Sequence, residues 1–566
     1  MFLPTTISEL KRLGWDYLDV IIVSGDTYID SSYSGVAVIG KVLLNEGYRV
    51  GIIAQPDLDS DKDILRLGEP RLFWGVSSGC VDSMIANYTS LNKKRLSDDF
   101  TPGGMNTKRP DRALIVYSNL IKRYFKNTVP IVLGGIEASL RRIAHYDAWD
   151  NKIRRPILFD AKADILIYGM GERAVIELAK RLKNRQGYRD LRGIVYIAKR
   201  EEILNFNQYV VLPSFEEVSS NREEFKRMFF LFYNNNEFPA GRGLIQQVGN
   251  RFLVQNPPSI PLSTLELDRI YNLNYERDVH PYYKKNGKVK ALETIRFSIT
   301  THRGCSGDCA FCAISIHQGR QIISRSEDSI LQEVFDVVNH PEFKGIISDV
   351  GGPTANMYGM ECLQKQKPCT NRSCIYPKIC PSFNISHKKQ LDLLRKIRNV
   401  KSKSGKNIRV FVASGIRHDL ILADVDYGKI FLEEVLKYHT SGQMKIAPEH
   451  TEDRILRLMK KPGNKILVEF KKIFDRINQK LDEKKFLTYY FIAAYPGCTI
   501  RDMERMRDFV NKELRLKPEQ IQIFTPSPST FSTLMYYLEE DPFTGEKIFV
   551  EKGLKGKKKQ KAVITG

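Results

Sequence analysis

A regular alternation of apolar strands and amphipathic helices runs through the second half of this 566-residue chain. Short runs rich in β-branched and aromatic residues begin near residues 297, 345, 409, 444, 487 and 520. Helical patterns lie between them, and Thr499 with Asp502 resembles a helix N-cap with an acidic partner. Strands joined through helices pair in parallel, because each helix returns the chain to the same end of the sheet. These repeats predict a partial parallel barrel, (β/α)6, over residues 291–530.

The first 195 residues show the same alternation. Apolar runs such as YLDVIIVSG and PIVLGG alternate with amphipathic patterns such as SGVAVIGKVLLNEG. Strands that are apolar on both faces predict a parallel sheet covered by helices on each side, a doubly wound, Rossmann-like domain. Several glycines follow strands directly, where such folds bind ligands: Gly25, Gly134, Gly135, Gly169 and Gly171. In residues 196–290 the pattern loosens, and the proline-rich VQNPPSIPLS predicts a linking segment packed on the core.

The length of the chain exceeds what one hydrophobic core usually holds, so two or three domains are expected. No apolar run approaches the roughly 18 residues that a membrane span needs. The segment MFLPTTISELKRLGWDYLDV lacks a basic stretch followed by an apolar core, so we expect no signal peptide. The sequence therefore predicts a cytoplasmic protein that does not contact membranes.

Seven of the nine cysteines lie between residues 305 and 380. Clustered cysteines in a reducing compartment more often bind metal or do chemistry than form disulfides. Cys305, Cys309 and Cys312 follow the first barrel strand, in THRGCSGDCAFCAISIHQGR, where barrels carry their catalytic loops. A four-iron cluster usually takes four thiolates, so three would leave one iron open to a ligand. A zinc knuckle completed by His302 or His317 is the open alternative.

This spacing, with an aromatic residue before the third cysteine, resembles the radical SAM superfamily. The resemblance implies that the three thiolates hold a 4Fe-4S cluster whose open iron binds S-adenosylmethionine (SAM). Reductive cleavage of SAM would then give a 5′-deoxyadenosyl radical, with a reductant protein such as flavodoxin or ferredoxin supplying the electron. Phe311 would shield the cluster from water.

Further cofactor contacts follow from the same resemblance. Gly351 and Gly352 match a Gly-Gly-Glu turn that contacts the methionine amino group, but this chain has Gly-Gly-Pro-Thr. Backbone carbonyls or Thr354 would have to replace the glutamate. Ser414 and Glu449 lie where the superfamily contacts the ribose and the carboxylate of the cofactor. A helix cap or a salt bridge is the alternative role for each of these two residues.

Longer motifs narrow the resemblance. RFSITTHRGCSGDCAFCAISIHQGR, DVGGPTANMYG, and NPPSIPLSTLELD before HPYY together resemble the YgiQ family. That resemblance covers nearly the whole chain and implies a radical-SAM-associated domain at 1–195, the barrel, and a basic C-terminal extension at 531–566. It supplies neither a substrate nor catalytic residues. His317, Gln318 and Arg320 are candidate substrate or supporting contacts, although Arg320 could instead pair with a carboxylate.

A second cysteine group lies in an insertion at 353–386, after the second barrel strand. Its members are Cys362, Cys369, Cys374 and Cys380. Prolines interrupt this loop, it shows neither helix nor strand periodicity, and loops of this length usually have a function. We therefore expect a second metal there, either zinc or an iron–sulfur cluster. Four free thiols are the alternative.

Radical SAM enzymes with an N-terminal doubly wound domain often bind cobalamin through an Asp-x-His-x-x-Gly motif. This chain has no histidine before His145, and the matching loop, SGDTYID, offers Asp26 and Tyr28 instead. The sequence therefore argues against cobalamin.

The formal net charge of +22 favours a polyanionic partner such as RNA or the ribosome. The segment KGLKGKKKQK at 552–561 concentrates this charge, and it is either a nucleic-acid contact or a solvated, disordered end. The leading prediction is a radical SAM enzyme of unknown substrate. The alternatives are methyl or methylthio transfer to RNA or a ribosomal protein, and a non-catalytic zinc protein that binds nucleic acid.

Overall fold

The computed structural model describes residues 1–565 apart from 205, 365, 366, 368, 370–372, 404, 517, 519 and 520. The chain divides into two compact units. The first comprises Met1–Pro261 and Leu273–Arg296, and the second comprises Leu262–Asn272 and Phe297–Gly566.

A nine-stranded sheet forms the centre of the first unit. From edge to edge its strands are Val210–Leu212, Leu244–Val248, Arg251–Gln255, Ile194–Ala198, Ile165–Ile167, Ile131–Gly134, Phe73–Ser77, Val20–Ser24 and Val50–Ala54. The last five in this order pair in parallel, as the apolar runs predict. Every residue of Val20–Ser24 and Val50–Ala54 is buried, because helices cover both faces of a sheet of this kind.

Helices pack against this sheet through buried aliphatic side chains, among them Val36, Leu43, Val175 and Leu178. The helices of the unit are Ile7–Arg12, Gly35–Asn45, Lys62–Leu65, Ser83–Asn87, Ala113–Tyr124, Gly135–Leu140, Ile157–Ala161, Glu172–Lys183, Phe215–Ser220, Arg222–Asn234, Pro281–Lys284 and Ala291–Ile295, with a 3-10 turn at Arg200–Glu202. Two small ladders pair Ile29–Asp30 with Asp278–Val279, and His145–Asp147 with Lys152–Arg154. The predicted doubly wound domain is confirmed.

The segment 196–290 differs from the expected linker. Three of its strands, Val210–Leu212, Leu244–Val248 and Arg251–Gln255, extend the sheet beyond Ile194–Ala198. The two pairings that attach them are antiparallel, and antiparallel strands need no helix between them, so the alternation that marks the first 195 residues ends here. The domain boundaries at 195, 290 and 530 stay predictions.

The second unit contains parallel barrel strands whose order in the barrel is their order along the chain. They are Ser298–Thr300, Ile346–Ile347 with Asp349–Gly351, Arg409–Val410, Gln443–Glu449, Phe486–Ala493 and Gln522–Ile523. Each strand pairs in parallel with the next one along the chain, the third and fourth through the bridge between Ile416 and Ile446. Residue 520, where the sixth strand was predicted to begin, lies outside the described residues. A partial parallel barrel is therefore confirmed.

Helices alternate with these strands. They are Thr264–Tyr271, Ile314–His317, Glu327–Asn339, Lys388–Arg398, His418–Ala423, Gly428–Tyr438, Asp453–Met459, Asn464–Asn478, Ile500–Phe509 with a π-turn at Val510–Leu514, Phe531–Leu538 and Leu554–Thr565. The capping box of Thr499 and Asp502 is present as predicted, with the Thr499 N–H donating to the Asp502 carboxylate at 2.8 Å. Two antiparallel ladders pair His302–Arg303 with Ile323–Ser324, and Glu361–Cys362 with Phe383–Asn384.

Among the helices of the described residues, not one is both long enough and apolar enough to cross a membrane.

The basic segment near the C-terminus is a helix, Leu554–Thr565, rather than a disordered end. Buried Gln560 fixes it to the loop after the fifth barrel strand. Its side-chain oxygen accepts the Ala494 N–H at 3.0 Å, and its nitrogen donates to the Cys498 carbonyl at 3.0 Å. One amide side chain therefore closes that loop by satisfying two buried backbone groups.

We expect Gln560→Ala to lower the free energy of unfolding by about 2 kcal/mol, because it leaves a buried N–H and a buried carbonyl without partners. Urea unfolding followed by fluorescence measures the change. Lys559→Ala, at an exposed position on the same helix, is the matched control and should cost far less. Equal losses in the two variants would contradict the role of Gln560.

Candidate metal centre

The three-cysteine loop leaves the first barrel strand at its carboxyl end. Gly304 has φ +81°, and a Cβ there would lie 1.9 Å from the Gln321 carbonyl oxygen, so the turn requires glycine. The Cys305 N–H donates to the Gly319 carbonyl at 3.2 Å, and the Ala310 N–H donates to Met459 at 3.0 Å. These bonds fix both ends of the loop.

Two of the three thiols, those of Cys305 and Cys309, lie beside Gly307. A Cβ on Gly307 would lie 3.3 Å from Cys305 Sγ and 3.6 Å from Cys309 Sγ, so a side chain would fill the space between them. Burial raises the pKa of Cys312 to about 12, and negative charge on Cys309 and Cys305 adds to the rise. Burial also raises the pKa of Cys305. A bound metal would lower these pKa values, since nearby positive charge stabilises a thiolate.

A zinc knuckle and a cuboidal cluster differ in how closely their protein ligands must converge. Within the described residues, no three His, Cys, Asp or Glu side chains converge closely enough to hold one metal ion. A zinc knuckle needs four ligands around one ion. In a cuboidal cluster each thiolate binds its own iron, so the ligands stand further apart. Burial lowers the pKa of His302 to about 3, and its ring packs on Gly352, whose Cβ would lie 2.5 Å from His302 Cε1.

Two side chains from other barrel loops contact the cysteine sulfurs. Thr354 Oγ1 lies 3.2 Å from Cys305 Sγ. Arg417 Nη1 donates to Cys309 Sγ at 3.6 Å, and it lies 2.8 Å from the position that a Cβ on Gly307 would take. Sequence reasoning missed Arg417, and its only signal there is its place in SGIRHD, just after the third barrel strand. Donors of this kind orient metal ligands and tune the metal.

Phe311 lies on the side of the loop that faces the fifth barrel strand. Its ring meets the buried Tyr495 edge to face, with centroids 6.4 Å apart. Tyr495 is fixed by its hydroxyl, which donates to the Leu458 carbonyl at 3.1 Å. The half-buried Phe311 therefore packs against the residue that follows the fifth barrel strand, and its shielding of the third cysteine stays a prediction.

The second-strand turn brings Gly351 and Gly352 to the same end of the barrel. The Thr301 N–H donates to the Gly351 carbonyl at 2.7 Å, so this carbonyl is already used in the pairing of the first two barrel strands. The His302 ring fills the space beside Gly352 that any larger side chain would need. The two glycines therefore allow the close approach of the first two strand ends.

Ser414 follows the third strand, and Glu449 ends the fourth. The Ser414 hydroxyl donates to the Asp349 carboxylate, which also accepts the Ala413 N–H at 2.8 Å. Glu449 has φ +69°, a left-handed backbone that costs energy for a side chain of this size. Burial raises the pKa of Glu449, partly offset by the charges of Lys461 and Arg417. Glu449 is thus a strained, buried acid beside the cysteine loop.

The second cysteine group lies at the base of its insertion, where Cys362 pairs with Phe383 across a short ladder. Cys374 and Cys380 pack beside Cys305 on one apolar cluster formed by Ile322, Met357, Met360, Ile375, Phe383 and Leu420. Burial raises the pKa of Cys374 to about 12, with Arg320 opposing the rise and the other three cysteines adding to it. Cys369 is exposed, and its neighbours Pro368 and Thr370 lie outside the described residues.

In the first unit, Asp26 and Tyr28 are both committed to internal contacts. Asp26 accepts the Cys80 N–H at 2.7 Å and pairs with buried Arg109. The Tyr28 hydroxyl donates to Asp30 at 3.3 Å, and burial raises its pKa well above the usual value. Neither side chain fits a role as a ligand to cobalt.

One solved structure shares the fold of this chain at a TM-score of 0.52. It is the radical SAM methyltransferase TsrM from Kitasatospora setae, with cobalamin and a [4Fe-4S] cluster bound. The two are 14% identical, and the match covers 91% of this chain and 73% of TsrM. A fold of this kind accommodates cobalamin in TsrM, so the sequence argument against cobalamin was wrong.

The sequence comparisons identify the family. The Radical SAM N-terminal family model matches residues 2–298. A UPF0313 protein of Fusobacterium nucleatum subsp. nucleatum is 54% identical, with the match covering 100% of this chain and 98% of that protein. A UPF0313 protein of Thermotoga neapolitana is 50% identical over 99% of this chain and 98% of its own length. The chain therefore belongs to the UPF0313 family, the YgiQ-type proteins, and is an iron–sulfur enzyme of the radical SAM class.

Proposed function

We propose that Cys305, Cys309 and Cys312 hold a 4Fe-4S cluster and that the enzyme cleaves SAM reductively on a substrate still to be found. The observation that carries the proposal is that Cys305 Sγ and Cys309 Sγ lie beside Gly307, at the carboxyl end of the first barrel strand, and that both cysteines raise the pKa of Cys312. Bound there, the cluster would supply the electron that cleaves SAM to a 5′-deoxyadenosyl radical. The three thiolates would each bind one iron and leave the fourth for SAM.

Neighbouring residues position and shield this centre. Thr354 would donate a hydrogen bond to the Cys305 thiolate. Its hydroxyl would therefore not replace the missing glutamate of the Gly-Gly turn. Glu449 is the stronger candidate for a contact with SAM, because it is buried, strained and beside the loop. Ser414 would act mainly through its bond to Asp349. Phe311 would exclude water from the third cysteine.

We expect Cys309→Ala to lose the cluster and all formation of 5′-deoxyadenosine. Anaerobically reconstituted protein is given dithionite and SAM, and iron, sulfide and 5′-deoxyadenosine are measured. Cys80→Ala removes an exposed thiol in the first unit and is the matched control, with iron content and turnover unchanged. A colourless wild type that contains only zinc would instead support the zinc protein that binds nucleic acid.

Methyl or methylthio transfer to RNA or a ribosomal protein is the second candidate within the class. What favours it is the C-terminal helix, on which Lys555, Lys558 and Lys559 are exposed. Lysines in such a row attract phosphate groups and give salt-dependent binding. A polyanionic partner stays a prediction.

The second cysteine group is proposed to hold its own metal, zinc or an iron–sulfur cluster. The proposal is supported by the effect of the other three cysteines on Cys374: the charges of Cys362, Cys369 and Cys380 each raise the pKa of Cys374. A cluster there would lie on the same apolar residues as Cys305, where it could pass electrons to the first centre.

We expect Cys374→Ala and Cys369→Ala each to remove metal beyond the four irons of the first cluster. Iron, zinc and sulfide are measured on anaerobically purified protein, with Cys80→Ala as control. Unchanged metal content in both variants would remove the second site and leave the first intact.

Cobalamin joins the candidate cofactors because TsrM, of the same fold, has it bound. If it binds this chain, its cobalt would take no ligand from Asp26 or Tyr28, since both are buried and already bonded.

A further inference from the structure

Arg417 donates a hydrogen bond to Cys309, one of the three loop cysteines. It follows the third barrel strand, and its Nη1 donates to Cys309 Sγ at 3.6 Å. Its side chain is 8% exposed, so water screens its charge little. Gly307 makes the contact feasible, because a Cβ there would lie 2.8 Å from Arg417 Nη1.

The other edge of the guanidinium is fixed by Asp419. Arg417 Nε donates to Asp419 Oδ1 at 3.0 Å and Nη2 donates to Oδ2 at 2.6 Å, which is the two-pronged geometry that favours arginine over lysine. Burial works against the charged form of Arg417, but the charges of Asp419 and Cys309 raise its pKa above the ordinary value. The side chain therefore stays cationic with one edge on Asp419 and one edge on Cys309.

The backbone of Arg417 is held by a single amide, Asn356. The Arg417 N–H donates to Asn356 Oδ1 at 2.8 Å, and Asn356 Nδ2 donates to the Arg417 carbonyl at 3.0 Å. Asn356 is fully buried in the motif GGPTANMYG, after the second barrel strand. It thus ties the second and third strand loops together at the residue that reaches Cys309.

His387 and Asp424 fix the orientation of that amide. The second Nδ2 hydrogen of Asn356 points to His387 Nε2 at 3.1 Å, so this ring nitrogen must accept. The His387 Nδ1–H then donates to Asp424 Oδ2 at 2.7 Å, and the His387 backbone N–H donates to the same oxygen at 2.7 Å. Turning the Asn356 amide over would break every one of its bonds at once. All three side chains are buried, so the chain of bonds has one arrangement.

We propose that Arg417 sets the reduction potential of the cluster through its bond to the Cys309 thiolate, and that Asn356, backed by His387 and Asp424, is the positioning residue that holds it there. The proposal rests on the cluster ligands given under Proposed function. Reduction adds one electron, from dithionite or a flavodoxin-type donor, to a cluster already surrounded by thiolates. Hydrogen bonds and positive charge at a ligating sulfur stabilise the added charge and raise the potential. Asp419 offsets part of this charge, so the directed hydrogen bond matters as well as the charge.

The test is a potentiometric titration of the cluster, followed by electron paramagnetic resonance, on anaerobically reconstituted protein. In Arg417→Met we expect the one-electron reduction constant to fall about tenfold, which is about 59 mV. Arg417→Lys keeps the positive charge but cannot make the two-pronged contact with Asp419. Its potential should therefore lie between those of the wild type and Arg417→Met. Asn356→Asp keeps the shape but loses both donors, so the potential should fall by less than in Arg417→Met. Arg507→Gln, which removes an exposed arginine–aspartate pair, is the control and should leave the potential unchanged.

Iron and sulfide content separates the outcomes. A loaded Arg417→Met protein whose potential equals that of the wild type would overturn the inference, whether or not it holds less cluster. The same holds if Arg417→Lys keeps the full potential of the wild type, because the directed bond from the guanidinium to Cys309 would then be irrelevant. A wild type that takes up no four-iron cluster would instead defeat the proposed function, and this inference with it.

Discussion

The grouping of three partly buried cysteines after the first barrel strand is the constraint on which the second unit depends. Three cysteines at one strand end cannot be desolvated as thiolates without metal and donors around them. The parallel barrel supplies those donors, because it brings the carboxyl ends of successive strands to one place. Thr354 comes from the loop after the second strand and Arg417 from the loop after the third. The fold thus supplies from several loops what the short cysteine loop cannot provide itself.

Local chemistry made part of this predictable from the sequence. The spacing of Cys305, Cys309 and Cys312, and the cap of Thr499 and Asp502, depend on residues a few positions apart, and the sequence displays them directly. The parallel strands were visible for the same reason, since burial on both faces demands continuous apolar runs. The missing glutamate of the Gly-Gly turn was also visible, and it made the role of Thr354 an open question.

Other features depend on contacts between distant residues. Asn356, His387, Asp424 and Arg417 are ordinary polar residues in separate loops, and only the packed barrel joins them. The strands after Ile194–Ala198 pair mostly antiparallel and leave no helix alternation to detect. One missing histidine does not decide whether cobalamin binds, and TsrM, which shares the fold, has cobalamin bound.

The fastening of the fifth-strand loop by Gln560 has a consequence for biosynthesis. A nascent chain that has just completed the barrel strands, with Ile523, has not yet made the residue that clasps Ala494 and Cys498. Tyr495, against which Phe311 rests, lies inside this clasp. Until Gln560 has been synthesised, the loop that carries Tyr495 therefore lacks the two hydrogen bonds that close it, and it gains them when helix Leu554–Thr565 packs against the barrel.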